Sequence, residues 1–86
     1  MISIRQLKAA RVLLAWSQGD LARASGISEP TIARLESSDG PVGGRPETAA
    51  ALVGALEKAG IEFIPENGGG AGVRLKKKKR QSRSPS

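Results

Sequence analysis

The sequence predicts an all-α fold, a compact bundle of four to five helices followed by a short β extension. Three observations carry that reading. Apolar residues recur at helical spacing in successive stretches up to residue 60. Ser17 and Ser28 stand where new helices would need an N-terminal cap. Gly26, Gly60 and the Gly- and Pro-rich stretch 38–45 punctuate the periodic segments.

The first helix is expected between Ser3 and Trp16. Leu7, Ala10 and Leu14 form its apolar stripe, with Ile4 one turn earlier, and Arg5, Lys8 and Arg11 beside it. Ser17 opens the second helix. Its hydroxyl can accept from the amide of Asp20 while the Asp20 carboxylate reaches back to the amide of Ser17, a capping box with Asp in place of Glu. Trp16, just outside the cap, can pack on Leu21 as a hydrophobic staple. Gly19 in the first turn is a local cost of up to about 1 kcal/mol relative to Ala. Gly26 ends the helix, in the left-handed conformation that a residue without Cβ tolerates.

The third helix covers about residues 28–37. Ser28 caps it, Glu29 favours the helix dipole in the first turn, and Pro30 is tolerated there because its missing N–H has no intrahelical partner to lose. Ile32 and Leu35 supply an inward face, with Thr31 and Arg34 on another side. After the 38–45 loop, Pro46 starts a fourth helix with Glu47 in its first turn. Its stripe is Leu52, Val53 and Leu56, with Lys58 near the C-terminus and Gly60 beyond it. Ile61–Pro65 is a β-prone run, 68–72 a glycine turn, and Val73–Lys76 a possible returning strand. Such a hairpin is marginal alone and must pack on the helices or on a partner chain.

The expected organisation is therefore a helical domain over 1–60, a β-prone extension over 61–76 able to serve in dimerisation, and a basic, low-complexity, disordered tail over 77–86. Eighty-six residues suffice for one small core, and with Trp16 and Phe63 as the only aromatic residues it must be built from Leu, Ile, Val and Ala. The chain has no His and no Cys, which removes the usual general bases, thiol nucleophiles and zinc ligands. An enzyme is therefore not expected, nor a cofactor or metal. No apolar run approaches the roughly 20 residues of a membrane helix. Arg5, Lys8 and Arg11 break up any signal-peptide core, so a soluble, cytoplasmic protein is expected.

The net charge of +6 is unevenly placed. Seven of the 14 basic residues lie in 74–86, which holds no acid, leaving 7 basic and 8 acidic groups in residues 1–73. The body is nearly neutral. Total charge is consequently a weak argument for a nucleic-acid partner, and the tail is at most an accessory that adds salt-sensitive phosphate attraction.

Spacing within residues 18–35 is a stronger signal. Counting from Gln18, Leu21 and Ala22 fall at the fourth and fifth places, Gly26 at the ninth, Ile32 at the fifteenth and Leu35 at the eighteenth. Ala22 must be small where the next helix crosses, Gly26 must permit a sharp turn, and Ile32 and Leu35 pin the second helix of the pair to the core. This is the helix-turn-helix pattern.

With SQGDLARASGIS followed by TIARLE, the chain resembles the XRE-type (Cro/phage-repressor-like) family of small bacterial transcriptional regulators, over residues 4 to about 60. The resemblance implies a compact repressor-like DNA-binding domain. It implies that Gln18 contacts a phosphate, and that Ser28, Glu29, Pro30, Thr31 and Arg34 form the outer face of the recognition helix. Arg34 would be the strongest base reader, bidentate to guanine. Glu29 could accept from cytosine N4 or exclude wrong sequences. Pro30 departs from the polar residue common there and could touch only a thymine methyl or set helix direction. Arg45, with the amides around Gly43 and Gly44, would lie near phosphates. Arg11 and Glu36 match a pair that bridges the first and third helices in this family. Ala15 and Ser25 depart from the Gly and the apolar residue common at their positions.

The function expected from this resemblance is sequence-specific regulation, with repression the leading form. The partners would be a double-stranded DNA operator and a second copy of the chain, the two recognition helices lying about 34 Å apart. The fourth helix and residues 61–76 are the candidate dimer surfaces. Competing readings are an antitoxin that neutralises a toxin partner while regulating its own operon, and an interaction adaptor that does not bind DNA. A small hydrolase would lack its chemistry.

Overall fold

The structure, a computed structural model, describes residues 2–66 and 68–76. Four helices occur among them, α1 (Ile4–Leu13), α2 (Gln18–Ser25), α3 (Glu29–Glu36) and α4 (Pro46–Lys58). Two strands follow, β1 (Ile61–Ile64) and β2 (Gly72–Leu75). The basic tail expected at 77–86 lies outside the described residues.

Serine hydroxyls set the starts of the first three helices. Ser3 Oγ accepts from the Gln6 amide at 3.1 Å and Gln6 Oε1 accepts from the Ser3 amide at 3.0 Å, closing a capping box on α1. The Ser17–Asp20 box on α2 forms with distances of 2.8 and 3.0 Å. The Ser17 amide is the largest influence holding the Asp20 carboxyl below its ordinary range. Ser28 Oγ accepts from the Thr31 amide at the start of α3, and Pro30 lies in the first turn. α4 begins with Pro46 and has no side-chain cap.

The helix ends depend on left-handed residues. α1 stops at Leu13, short of the expected Trp16, because Ala15 turns to φ +58°. The Ala15 amide then donates to the Val12 carbonyl at 2.8 Å and the Trp16 amide to the Arg11 carbonyl at 3.0 Å. These two bonds define a Schellman motif, which glycine usually completes. Gly26, at φ +78°, closes α2 through its amide to the Ala22 carbonyl at 2.9 Å.

Leu7, Ala10, Leu21, Ile32, Leu52, Leu56 and Ile61 form one fully buried cluster. Trp16 packs against this cluster, of which Leu21 is part. The α4 stripe is narrower than expected, because Val53 stays half-exposed while Leu52 and Leu56 are buried.

The expected fold class is met in part: among the described residues the helices number four, the lower end of the expected four to five, and the β extension forms as an antiparallel pair with Phe63 opposite Val73, so that all-α is only a rough label. Alternating β-branched and aromatic residues on either side of the glycine turn favour the pleated form over a helix. The hairpin also shares the helical core. Ile61 is fully buried, and Phe63 and Val73 pack on the cluster. Burying a side chain the size of Ile61 contributes roughly 1.5–3 kcal/mol to an element that is marginal alone.

Gln6 fastens the hairpin to α1. Its side chain is 5% exposed, and Nε2 donates to the carbonyls of Ile64 at 3.2 Å and Gly72 at 3.0 Å. The first half of the loop between α3 and α4 is tied to the chain start. The Ile4 amide donates to the Gly40 carbonyl at 2.8 Å, the Val42 amide to the Ile2 carbonyl at 3.1 Å, and Arg5 pairs with Asp39 at 3.1 Å. The second half of the loop, Gly43–Arg45, is exposed.

Candidate nucleic-acid interface

The exposed face of α3 is held by a buried ionic hub behind it. Arg11, on α1, donates from Nε to Glu36 Oε2 and from Nη2 to Glu36 Oε1, both at 2.8 Å. Its Nη1 donates to the Trp16 carbonyl at 2.8 Å, and Gln18 Nε2 donates to Glu36 Oε1 at 3.0 Å. One carboxylate at the end of α3 thus joins α1, the bend after it, and the start of α2. Burial pushes the Glu36 carboxyl up, but the donors from Arg11 and Gln18 and the charges of Arg11 and Lys8 outweigh it. The net position is below the ordinary value of 4.5. Arg11 is correspondingly raised by its bond to Glu36.

The residues singled out from the sequence fall into two groups. Thr31, Arg34 and Arg45 line one cleft of about 320 Å³, together with Leu35, Gly43, Gly44 and Thr48. No acidic side chain lines it. A neighbouring cleft of about 430 Å³ shares Arg34, Leu35, Gly43 and Gly44 and runs toward the Asp39 end of the loop. Among the described residues, Arg5, Arg11, Arg23 and Arg74 are each in an ion pair, and Arg34 and Arg45 are in none. Their free guanidinium groups make this cleft suited to anionic oxygens or base edges.

The second group is carried by the start of α3 and the first turn of α2. Ser28 is exposed, but its hydroxyl both caps the helix and donates to Thr31 Oγ1 at 2.9 Å. Pro30 is exposed at the second helical position and offers no donor. Gln18 is half-exposed, with its amide nitrogen engaged by Glu36, which leaves its second N–H as the outward donor. Glu29 bends back across α2. A Cβ on Gly19 would lie 3.3 Å from Glu29 Oε1, 3.8 Å from its Cδ and 3.6 Å from Ser17 Oγ.

Sequence reasoning did not single out Gln6, Thr48 or the role of Gly19. The Ser3-x-x-Gln6 spelling is itself a capping-box signal and marks Gln6 for at least one of its two tasks. Among the described residues no group of acidic, His or Cys side chains could hold a metal ion, and no helix is long and apolar enough to cross a membrane.

Four short helices with a tight glycine turn between α2 and α3, and an exposed α3 steadied from behind, define a helix-turn-helix domain. The helix-turn-helix family matches residues 7–59, and the chain belongs to it as an XRE-type (Cro/phage-repressor-like) member. This is a family of DNA-binding regulatory domains and not of enzymes. No curated protein is similar enough to this chain to count as a relative.

Proposed function

We propose that this protein is a sequence-specific transcriptional regulator, acting as a repressor, that lays α3 in the major groove of an operator and binds as a homodimer. The observation that carries the reading is the pair of unpaired cations, Arg34 on α3 and Arg45 in the following loop, lining one acid-free cleft. A recognition helix needs base contacts from its outer face and phosphate contacts that fix its register. Arg34 supplies the first, as a bidentate donor to guanine O6 and N7. Arg45, Thr48 and the backbone at Gly43 and Gly44 supply the second, with the outward N–H of Gln18 as a further phosphate donor. Ser28 and Thr31 belong to the same face, and Pro30 fixes how α3 starts.

A single domain of this size reads only a few base pairs, so a two-fold pair about one helical turn apart is the natural operator geometry. α4 and the β1–β2 hairpin are the proposed contact surfaces, and Leu75, exposed on β2, gives the hairpin an apolar side chain to bury.

The test is selection from a random duplex pool, followed by anisotropy titration of the winning sequence against a scrambled one. Arg34→Ala should cost roughly 1–3 kcal/mol on the selected site and relax preference at one base pair. Unchanged affinity and preference in that variant would overturn the reading. Sedimentation with and without the selected duplex tests the dimer, and monomer under both conditions rejects it.

A further inference from the structure

We propose that Glu29 is an affinity-limiting residue that lowers affinity for DNA of any sequence by holding a carboxylate over the first turn of α2. This rests on the DNA-binding reading above and adds a residue whose contribution is repulsive.

The geometry points away from a cytosine reader and toward this role. Glu29 is the first residue of α3, and its carboxylate folds across the helix pair to lie against Gly19, on the side where Ser17 Oγ also sits. Gly19 is the residue that gives it room. An added Cβ would be 3.3 Å from Oε1, closer than ordinary van der Waals contact. Asp20, the other acid in this turn, is occupied, since its oxygens accept from the Ser17 amide and from Arg23. Among the described residues Glu29 is in no ion pair. A carboxylate with no cationic side chain paired to it therefore stands over the first turn of α2, the turn that also carries Gln18, whose second N–H is free to meet a phosphate.

A duplex docking on this face must bring its phosphates close to that carboxylate or displace it. Either cost is the same for every sequence, because phosphates carry no sequence information. It is offset only where Arg34 and its neighbours gain base contacts. Weakening all binding by one increment leaves the ratio of operator to non-operator affinity unchanged, and it shortens the time the domain stays on any duplex, so that only sites rich in base contacts hold it.

The experiment uses the full chain, the selected duplex and a scrambled duplex of equal length, titrated over a range of salt concentrations. Glu29→Gln should raise affinity for the selected and the scrambled duplex alike by about three- to tenfold, the size of one like-charge contact at about 4 Å in a water-like dielectric. It should also steepen the dependence of log K on log salt by up to about one ion. Gly19→Ala pushes the carboxylate outward and should weaken scrambled-duplex binding, and this effect should vanish in the Gly19→Ala, Glu29→Gln double variant. Circular dichroism melting checks that each variant is folded. Unchanged scrambled-duplex affinity and salt slope in Glu29→Gln would overturn the inference, as would a loss confined to a single base pair of the selected site. If Arg34→Ala weakens binding while Glu29→Gln does nothing, this inference alone fails. If the unmodified chain binds no duplex, both fail.

Discussion

Gln18 Nε2 donates to Glu36 Oε1 at 3.0 Å, so the first residue of α2 and the last of α3 are joined through the same carboxylate that Arg11 grips in bidentate fashion. The angle between the two helices of the motif is thereby set from both ends, by Gly26 at the turn and by Glu36 at the open side. Removing one partner of such a pair leaves the other desolvated and unpaired. Arg11→Ala should accordingly cost about 3 kcal/mol, a large share of a small domain's stability. Urea denaturation measures it, and a loss below about 1 kcal/mol would contradict the hub.

Acid should open the same hub. The Glu36 carboxyl is held below 4.5 in the fold, so the folded state binds its proton less readily than the unfolded chain does. Its contribution is complete above about pH 4.5 and fades as pH falls through the depressed folded value. The denaturation midpoint of the unmodified chain should therefore drop on acidification below pH 4.5 more steeply than that of Glu36→Gln. Parallel curves would contradict the assignment.

Ala15 stands in a left-handed conformation at φ +58°, which costs an L-residue roughly 1–2 kcal/mol. Ala15→Gly relieves that strain and keeps both Schellman bonds, although the freer unfolded chain takes back about 0.4–1 kcal/mol. A net gain of up to about 1 kcal/mol is expected, read as a rise in melting temperature. A destabilised Ala15→Gly would mean that the φ +58° geometry is not the one adopted in solution.

Gln6→Leu keeps the bulk of the side chain but removes its hydrogen bonds to the Ser3 amide and to the Ile64 and Gly72 carbonyls. The expected cost is about 1–3 kcal/mol. Amide exchange should quicken in β1 and β2 more than in α2 and α3, since the bonds lost are the hairpin's. Uniform acceleration over the whole chain would show that the hairpin is not a separately anchored unit.

Arg45→Ala separates register from reading. It should weaken the selected and the scrambled duplex by the same factor and reduce the salt slope by about one, whereas Arg34→Ala acts on the selected sequence. A change of base preference in Arg45→Ala would exchange the two roles.

Much of this architecture is written in short-range spelling. Ser17 with Asp20, Ser28 ahead of Pro30, and Gly26 each act within a few residues of themselves, so their spacing announces the cap or turn they form. Arg11 and Glu36, 25 positions apart, became legible only through the family resemblance. Gln6 reaches 58 and 66 residues along the chain, and no periodicity records such a pairing. Gly19 read alone as a helix defect, because its use depends on where Glu29 arrives from α3. The hairpin was foreseen as a β extension, but its share in the core was not, since strand propensity says nothing about which face of Ile61 will find Leu52 and Leu56.

The reach of Gln6 also fixes an order of events. Its capping bond to Ser3 is local and can form as soon as the first turn of α1 exists, while its bonds to Ile64 and Gly72 must wait until nearly all the described chain has been made. A growing polypeptide would assemble the helix-turn-helix first and close the hairpin last, when the folded helices already hold Gln6 near the end of α4 and only the short segment beyond it remains to be ordered. A side chain in the first helix thus latches the hairpin that follows the last one, and a polypeptide reaching only to residue 60 would own the complete motif without the latch.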